Sequence, residues 1–215
     1  MTGGPTYVVA DIEANGPYPA ENAMMSLGAV AVSDALDIVS TFSVNLLARA
    51  DSVPNMRTLA WFETEAADAY AAAQENPVEP EKAVASFVGW VLSLPAPRIF
   101  AAHPVIFDGG WIDTYLELYS PYRLFDHATH AKPLFARTGL DLPSLVMGAT
   151  GMPFLECHRG RLNARWFDTQ THSHCALDDA MGYAALLINA LKIVRGNPVR
   201  KTPLSPGKIT ESAGP

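Results

Sequence analysis

TYVVADIEANGPYPAENAMMSLGAVAVSDALDIVSTFSVNLL (residues 6–47) opens the chain with three separate runs of strand-forming residues. The first, TYVVADIE (6–13), is short, β-branched and apolar, as a buried strand is, and it ends in two acids where the strand leaves the sheet. MMSLGAVAVSD (24–34) and ALDIVSTFSVNLL (35–47) meet around Ser33, Asp34 and Ala35, a junction that fits a tight hairpin. Beyond them, TLAWFETEAADAYAAAQ (58–74) and EKAVASFVGWVLSL (81–94) have helix-forming composition, separated by the breaker-rich ENPVEPE (75–81). RIFAAH (98–103) is strand-like, GGWIDTYLELY (109–119) helical, RLFDHA (123–128) a short strand, and the segment from Thr171 a long helix. Strands followed by strand and helix alternation predict an α/β domain in which helices cover a mixed sheet. RGNPVRKTPLSPGKITESAGP (195–215) is rich in Pro, Gly and polar residues and reads as a mobile tail, which leaves one domain over residues 1–195 and a tail over 196–215.

The 215 residues, 49% hydrophobic and 17% charged, suit a single globular domain with an ample core. The N-terminus lacks a basic segment leading into an apolar one, and no apolar run is long enough to span a bilayer, so a cytoplasmic protein without membrane contact is expected. Cys157 and Cys175 are too few for a disulfide framework. A net charge of −7 argues against a strongly basic nucleic-acid coat, but its distribution is uneven. Residues 1–119 hold 4 Lys/Arg against 15 Asp/Glu, and residues 120–215 hold 11 against 7. Arg123, Lys132, Arg137, Arg159, Arg161 and Arg165 in the later part are placed either to line a path for a polyanion or to form an ordinary solvated surface.

Asp11 and Glu13 stand two apart on a strand, so both side chains point to one face, close enough to grip a hard cation together. Asp108 follows RIFAAH in HPVIFDGGW, where Phe107 is expected to anchor the backbone in the core while the aspartate faces a cleft. THSHCALDDAMGYAALLINAL (171–191) then places two histidines and two aspartates at a helix start. His174 and Asp179 are five steps apart, about 140° on a continuous helix, so they share a site only if His174 lies on the turn leading in. Four-residue spacing favours Asp178 instead, and spacing alone leaves the two aspartates undecided.

In this order, ADIEANGP, AAHPVIFDGGWID and HCALDDA resemble the three motifs of the DEDDh exonucleases, the DnaQ-like family of the ribonuclease H-like superfamily. The resemblance spans residue 7 to about residue 191, and SLGAV resembles the family's second strand. It implies a ribonuclease H-like fold with a mixed five-stranded sheet flanked by helices. It also implies a 3′-5′ exonuclease that hydrolyses single-stranded nucleic acid from its 3′ end, with RNA slightly favoured over DNA because TLAWFETEAADAY is similar to a Trp-containing helix of some exoribonucleases. By the same resemblance Asp11, Glu13, Asp108 and Asp179 are the ligands of two Mg²⁺ or Mn²⁺ ions and His174 is the general base, which selects Asp179 over Asp178. Ile12, Ala14, Asn15 and Gly16 would lie against the terminal nucleotide, with Phe107 and His103 as further substrate contacts, and a homodimer would be in keeping with pairing among relatives. One departure stands out: where the second motif usually carries an asparagine before its aromatic-Asp pair, this chain has Pro104 after His103.

The chemistry explains the residue types. A phosphodiester is shielded by its own charge and bulk water, with a pKa of about 15.7, is a poor nucleophile, and a pair of divalent ions answers both obstacles. An imidazole with an unperturbed pKa of about 6.5 is free to accept a proton near neutrality. Two rivals remain: an inactive nucleic-acid-binding module of the same fold, and a zinc site drawn from Cys157, His158, His172, His174 and Cys175.

Overall fold

A computed structural model describes residues 4–125 and 132–196. Strand β1 (Thr6–Ala14) pairs antiparallel with β2 (Met24–Val32), which pairs antiparallel with β3 (Ile38–Asn45). The β2–β3 turn closes as expected near Ser33, with Ser33 N–H donating to Asp37 O at 2.8 Å. On its other side β1 pairs parallel with β4 (Arg98–Ala102), and β4 pairs parallel with the two-residue β7 (Leu140–Asp141), giving one five-stranded mixed sheet ordered β3-β2-β1-β4-β7. Between these strands run helices α1 (Met56–Glu65), α2 (Ala67–Ala73), α3 (Pro80–Ser93) and α4 (Val105–Tyr119). Two short strands, β5 (Tyr122–Arg123) and β6 (Lys132–Pro133), pair separately, and α5 (Leu142–Thr150) and α6 (Ala176–Gly196) complete the domain.

The period-2 alternation of β1 divides the core. Val8, Ala10, Ile12 and Ala14 join Phe87, Trp111 and Tyr115 of α3 and α4 on one face. Tyr7 and Val9 join Val146, Leu186 and Leu187 of α5 and α6 on the other. The odd-numbered face, which also carries Asp11 and Glu13, is therefore the face that α6 covers.

Several sequence expectations change in detail. The helix over 58–74 is two helices, interrupted at Ala66 with φ −147° and ψ 41°. Helix α4 starts one turn before Gly109, and the helix expected from Thr171 starts at Ala176. The strand expected over 123–128 reduces to Tyr122–Arg123, because Leu124 turns inward to the core, and its end lies outside the described residues, as does the tail beyond Gly196. Pro104, at the start of α4, gives the helix no side-chain cap; Asp141 Oδ1 accepts from Val105 N–H at 3.2 Å and caps it from β7.

Gly28, opposite Asp11 in register, fixes how closely α6 approaches. A Cβ there would lie 2.3 Å from the carbonyl carbon of Ala176 and 2.3 Å from the nitrogen of Leu177, both main-chain atoms that cannot swing aside. Gly28→Ala is expected to lower stability by about 1–3 kcal/mol or more, because overpacking must lift the start of α6 off the sheet. A fall in the urea midpoint at unchanged slope would report it.

Candidate active site

Three segments meet at the C-terminal end of β1: the strand end itself, the first turn of α4, and residues 172–179 at the entry to α6. Ligand oxygens of Asp11, Glu13 and Asp179 all lie within 4.8 Å of one another. Asp11 and Asp179 are buried, and Asp11 Oδ2 is buried without a hydrogen-bond partner. Asp108, also buried, reaches over the strand from α4, its Oδ1 accepting from Ile12 N–H at 3.2 Å. Burial and the charges of Asp108, Glu13 and Asp179 hold Asp11 well above the usual carboxylate range. Burial, with Asp179 and Asp108 nearby, pushes Glu13 up to about 8, and burial pushes Asp108 up to about 7. Such an all-oxygen group resists ionisation alone and fits one or more hard divalent cations, towards which the unpaired oxygen of Asp11 is a ready ligand.

The Asp179 carboxylate is wrapped by the loop before its helix. Ser173 N–H donates to its Oδ1 at 3.3 Å and His174 N–H to its Oδ2 at 3.1 Å. His174 adopts φ 58°, a left-handed conformation uncommon outside glycine, so the chain turns sharply before α6 begins. That turn removes the 140° conflict. Asp178 is exposed and accepts from Ser173 Oγ at 3.1 Å, and only Asp179 enters the carboxylate group. The His174 ring stands edge-on to Trp61 of α1, with ring centres 4.9 Å apart. Burial and the neighbouring His172 and Arg159 lower its pKa against the opposing pull of Asp179, so the imidazole is neutral at pH 7.

Around this centre the structure gives His172 and Arg159 places other than those read from the sequence, and it adds Tyr183. His172 Nδ1 lies 2.7 Å from Asp179 Oδ2. Arg159 is largely buried, its guanidinium 4.5 Å over Phe167 and 5.2 Å over Tyr183, with Nη2 at 3.8 Å from Asp179 Oδ1. Arg159 and Tyr183 carried no local signal: the arginine comes from an irregular segment, and the tyrosine matters only because it lies one helical turn after Asp179. The expected basic path is altered accordingly, since Arg159 is an internal counter-charge and Arg123 pairs with Asp113 and Glu117.

The expected substrate contacts divide. Ile12 and Ala14 bury their side chains in the core beneath the sheet. Asn15 Oδ1 accepts from Ala23 N–H at 2.7 Å, and Gly16 packs so tightly on Asn22 that a Cβ would meet its side chain at 2.3 Å, so this loop is braced by its own polar groups. His103 stacks on Tyr183 with ring centres 4.7 Å apart and forms part of the wall. Phe107 departs from its expected core role: helix α4 already includes it, and one 100° step from buried Asp108 leaves it 41% exposed beside the site. The cysteine-based zinc site is not formed: Cys157 is buried with Sγ donating to Pro153 O at 3.3 Å, and no cysteine joins a metal-ligand group among the described residues.

No protein-family model and no curated protein matches the sequence. Solved structures do match in fold. The nuclease domain of 3′hExo, a DEDDh family member bound to rAMP, is similar with a TM-score of 0.62 at 12% identity, over 87% of this chain and 92% of that one. A 3′-exonuclease described with a histone mRNA stem-loop is similar with a TM-score of 0.63 at 10% identity, over 89% and 84% of the two chains. E. coli exonuclease I in complex with a dT13 oligonucleotide gives 0.59 at 15% identity over 87% of this chain, which spans only 40% of that longer one. The chain has the ribonuclease H-like fold of these exonucleases.

Proposed function

We propose that the chain is a DEDDh-type 3′-5′ exonuclease that releases mononucleotides from the 3′ end of single-stranded nucleic acid, RNA slightly ahead of DNA, in the cytoplasm. The observation that carries this reading is the gathering of Asp11, Glu13 and Asp179 within 4.8 Å, with Asp108 laid over Ile12 and a histidine at the rim. Asp11, Glu13, Asp108 and Asp179 would hold two Mg²⁺ or Mn²⁺ ions. Bound there, such ions lower the pKa of an attacking water and stabilise the leaving oxygen as charge develops on it.

The chain's own residues have separate tasks. The carboxylates, mutually repelling when empty, supply the electrostatic demand for cations that makes an acidic surface compatible with a polyanion. His174, neutral at pH 7, accepts the proton of the attacking water. Trp61 and Phe107, 39% and 41% exposed, offer aromatic faces next to the centre on which a terminal base can stack, a contact that does not depend on sequence.

The test is hydrolysis of a 3′-labelled panel of single-stranded RNA and DNA with Mg²⁺ or Mn²⁺. Metal-dependent release of mononucleotides is expected. Binding without release would support instead the inactive binding module, a reading that Arg159 favours because it already places a cation 3.8 Å from Asp179. On the active reading His174→Ala slows turnover by about 10²–10⁴-fold, the usual worth of a general base, and leaves the Mn²⁺ concentration dependence nearly unchanged. A large shift in that dependence would make His174 a metal ligand rather than the base.

A further inference from the structure

The Asp179 carboxylate belongs to two groups of metal-competent side chains. Beside the oxygen-only group stands a second, His172, His174 and Asp179, whose ligand atoms also lie within 4.8 Å of one another. We propose that this second group is a zinc site, and that zinc held there shuts down the carboxylate centre by claiming Asp179 and His174 together.

The donor chemistry separates the two sites. Three carboxylates suit Mg²⁺ or Mn²⁺, whereas two imidazoles with one carboxylate suit a borderline cation such as Zn²⁺ and leave a fourth position open. The geometry is nearly in place: His172 Nδ1 is 2.7 Å from Asp179 Oδ2, and the two imidazole rings have centres 4.0 Å apart. Zinc at about 2.0–2.2 Å from each donor needs neighbouring donors roughly 3.3 Å apart, so His172 must back away slightly and His174 swing in. Both rings sit on one short loop; His172, 41% exposed, moves against little packing, and His174 turns beside the edge contact it makes with Trp61. Arg159, the nearest opposing charge, approaches the other oxygen, Oδ1, and its Nη2 donates to Gln170 O at 3.2 Å. The Oδ2 side is left to the histidines. Asp11 and Glu13, whose ligand oxygens lie within 4.8 Å of one of Asp179, lend negative potential to both sites.

The effect on hydrolysis rests on the exonuclease reading; zinc binding itself does not, and the experiment keeps them apart. The chelator-stripped full chain is titrated with Zn²⁺ in excess Mg²⁺ by calorimetry, and Co²⁺ is added separately to read coordination from its visible absorption. One Zn²⁺ per chain is expected to bind despite the Mg²⁺, with Co²⁺ giving the intense bands of a tetrahedral site. His172→Ala, at an exposed loop position, should weaken Zn²⁺ at least about 100-fold, the upper end of what losing even an outer-shell partner costs. His172→Gln, which keeps the side chain's bulk, should do the same and serves as the folding control by circular dichroism. If the chain hydrolyses nucleic acid, the Zn²⁺ concentration that halves each protein's own rate should rise by the same factor in both variants. Zinc affinity unchanged in folded His172→Ala, or lost in Asp11→Asn but kept in His172→Ala, would overturn the proposal by placing zinc among the carboxylates.

Discussion

Asp11→Asn is expected to lower metal-dependent mononucleotide release by at least about 10³-fold, and at the same time to raise the melting temperature of the metal-free protein. The loss follows from charge. An amide keeps the shape of the side chain but cannot neutralise a cation, and a contribution of about 4 kcal/mol to transition-state charge stabilisation corresponds to three decades in rate. The gain in stability has the same origin with the sign reversed. Asp11 is buried among Asp108, Glu13 and Asp179, and its ionisation is opposed first by desolvation and then by each of those neighbours. Near neutral pH folding forces Asp11 either to take up a proton the unfolded chain has released or to keep a disfavoured charge, and a neutral amide does neither, a trade of stability for function familiar at active sites. The pair of outcomes is diagnostic. A variant that loses both activity and stability would mean that Asp11 is a packing residue, and cleavage at the wild-type rate would remove the mechanism.

What the sequence disclosed and what it withheld follow from the range of the interactions involved. Strands β1 to β3 are legible because their residues are β-branched or apolar in short runs, and the turn at Ser33 is local. Asp11 and Glu13 share a face by the strand's period alone. Bringing them to Asp179 requires Gly28, whose lack of a side chain lets the α6 backbone touch β2, and nothing in SLGAV announces a helix 148 positions later as its neighbour. Helix α5 does not stand out in the sequence although its signals are ordinary: Asp141 caps it, Pro143 opens it and Gly151 ends it at φ 77°. It is only nine residues long, and its apolar residues show no extended stripe before the chain breaks at Gly151. His172 and Arg159 owe their importance to a loop path and a cation–π clamp, neither of which has a period to detect.

The second large effect is the cancellation of a pH dependence by metal. In a chelator-treated sample, stability is expected to fall between about pH 6.5 and 8, and with saturating Mg²⁺ or Mn²⁺ it is expected to stay nearly level over the same interval. Glu13 at about 8, Asp108 at about 7 and Asp11, also raised, bind protons in the folded state that the unfolded chain has already released. Their contribution is complete below the unfolded carboxylate range and is lost as pH climbs through the folded values. His103 and His174 act the other way, because burial lowers both; their contribution is present above about pH 6.5, the unfolded value, and fades below it. The two sets oppose each other at acid pH, so the carboxylates stand alone only above 6.5, which fixes the window. Each proton difference is worth about 1.4 kcal/mol per pH unit, so the window carries on the order of a few kcal/mol even after discounting the partial exposure of Glu13. At roughly 2–4 °C per kcal/mol for a domain of this size, the chelated protein should melt about 5–10 °C lower at pH 8 than at 6.5. A cation binds the ionised carboxylates and not the protonated ones, so its stabilisation grows with pH, reaching about 2.7 kcal/mol at a hundredfold excess over its dissociation constant. Melting curves from pH 6.5 to 8, with chelator and with Mg²⁺, should therefore diverge; parallel curves would mean that the carboxylates do not gather around a shared cation.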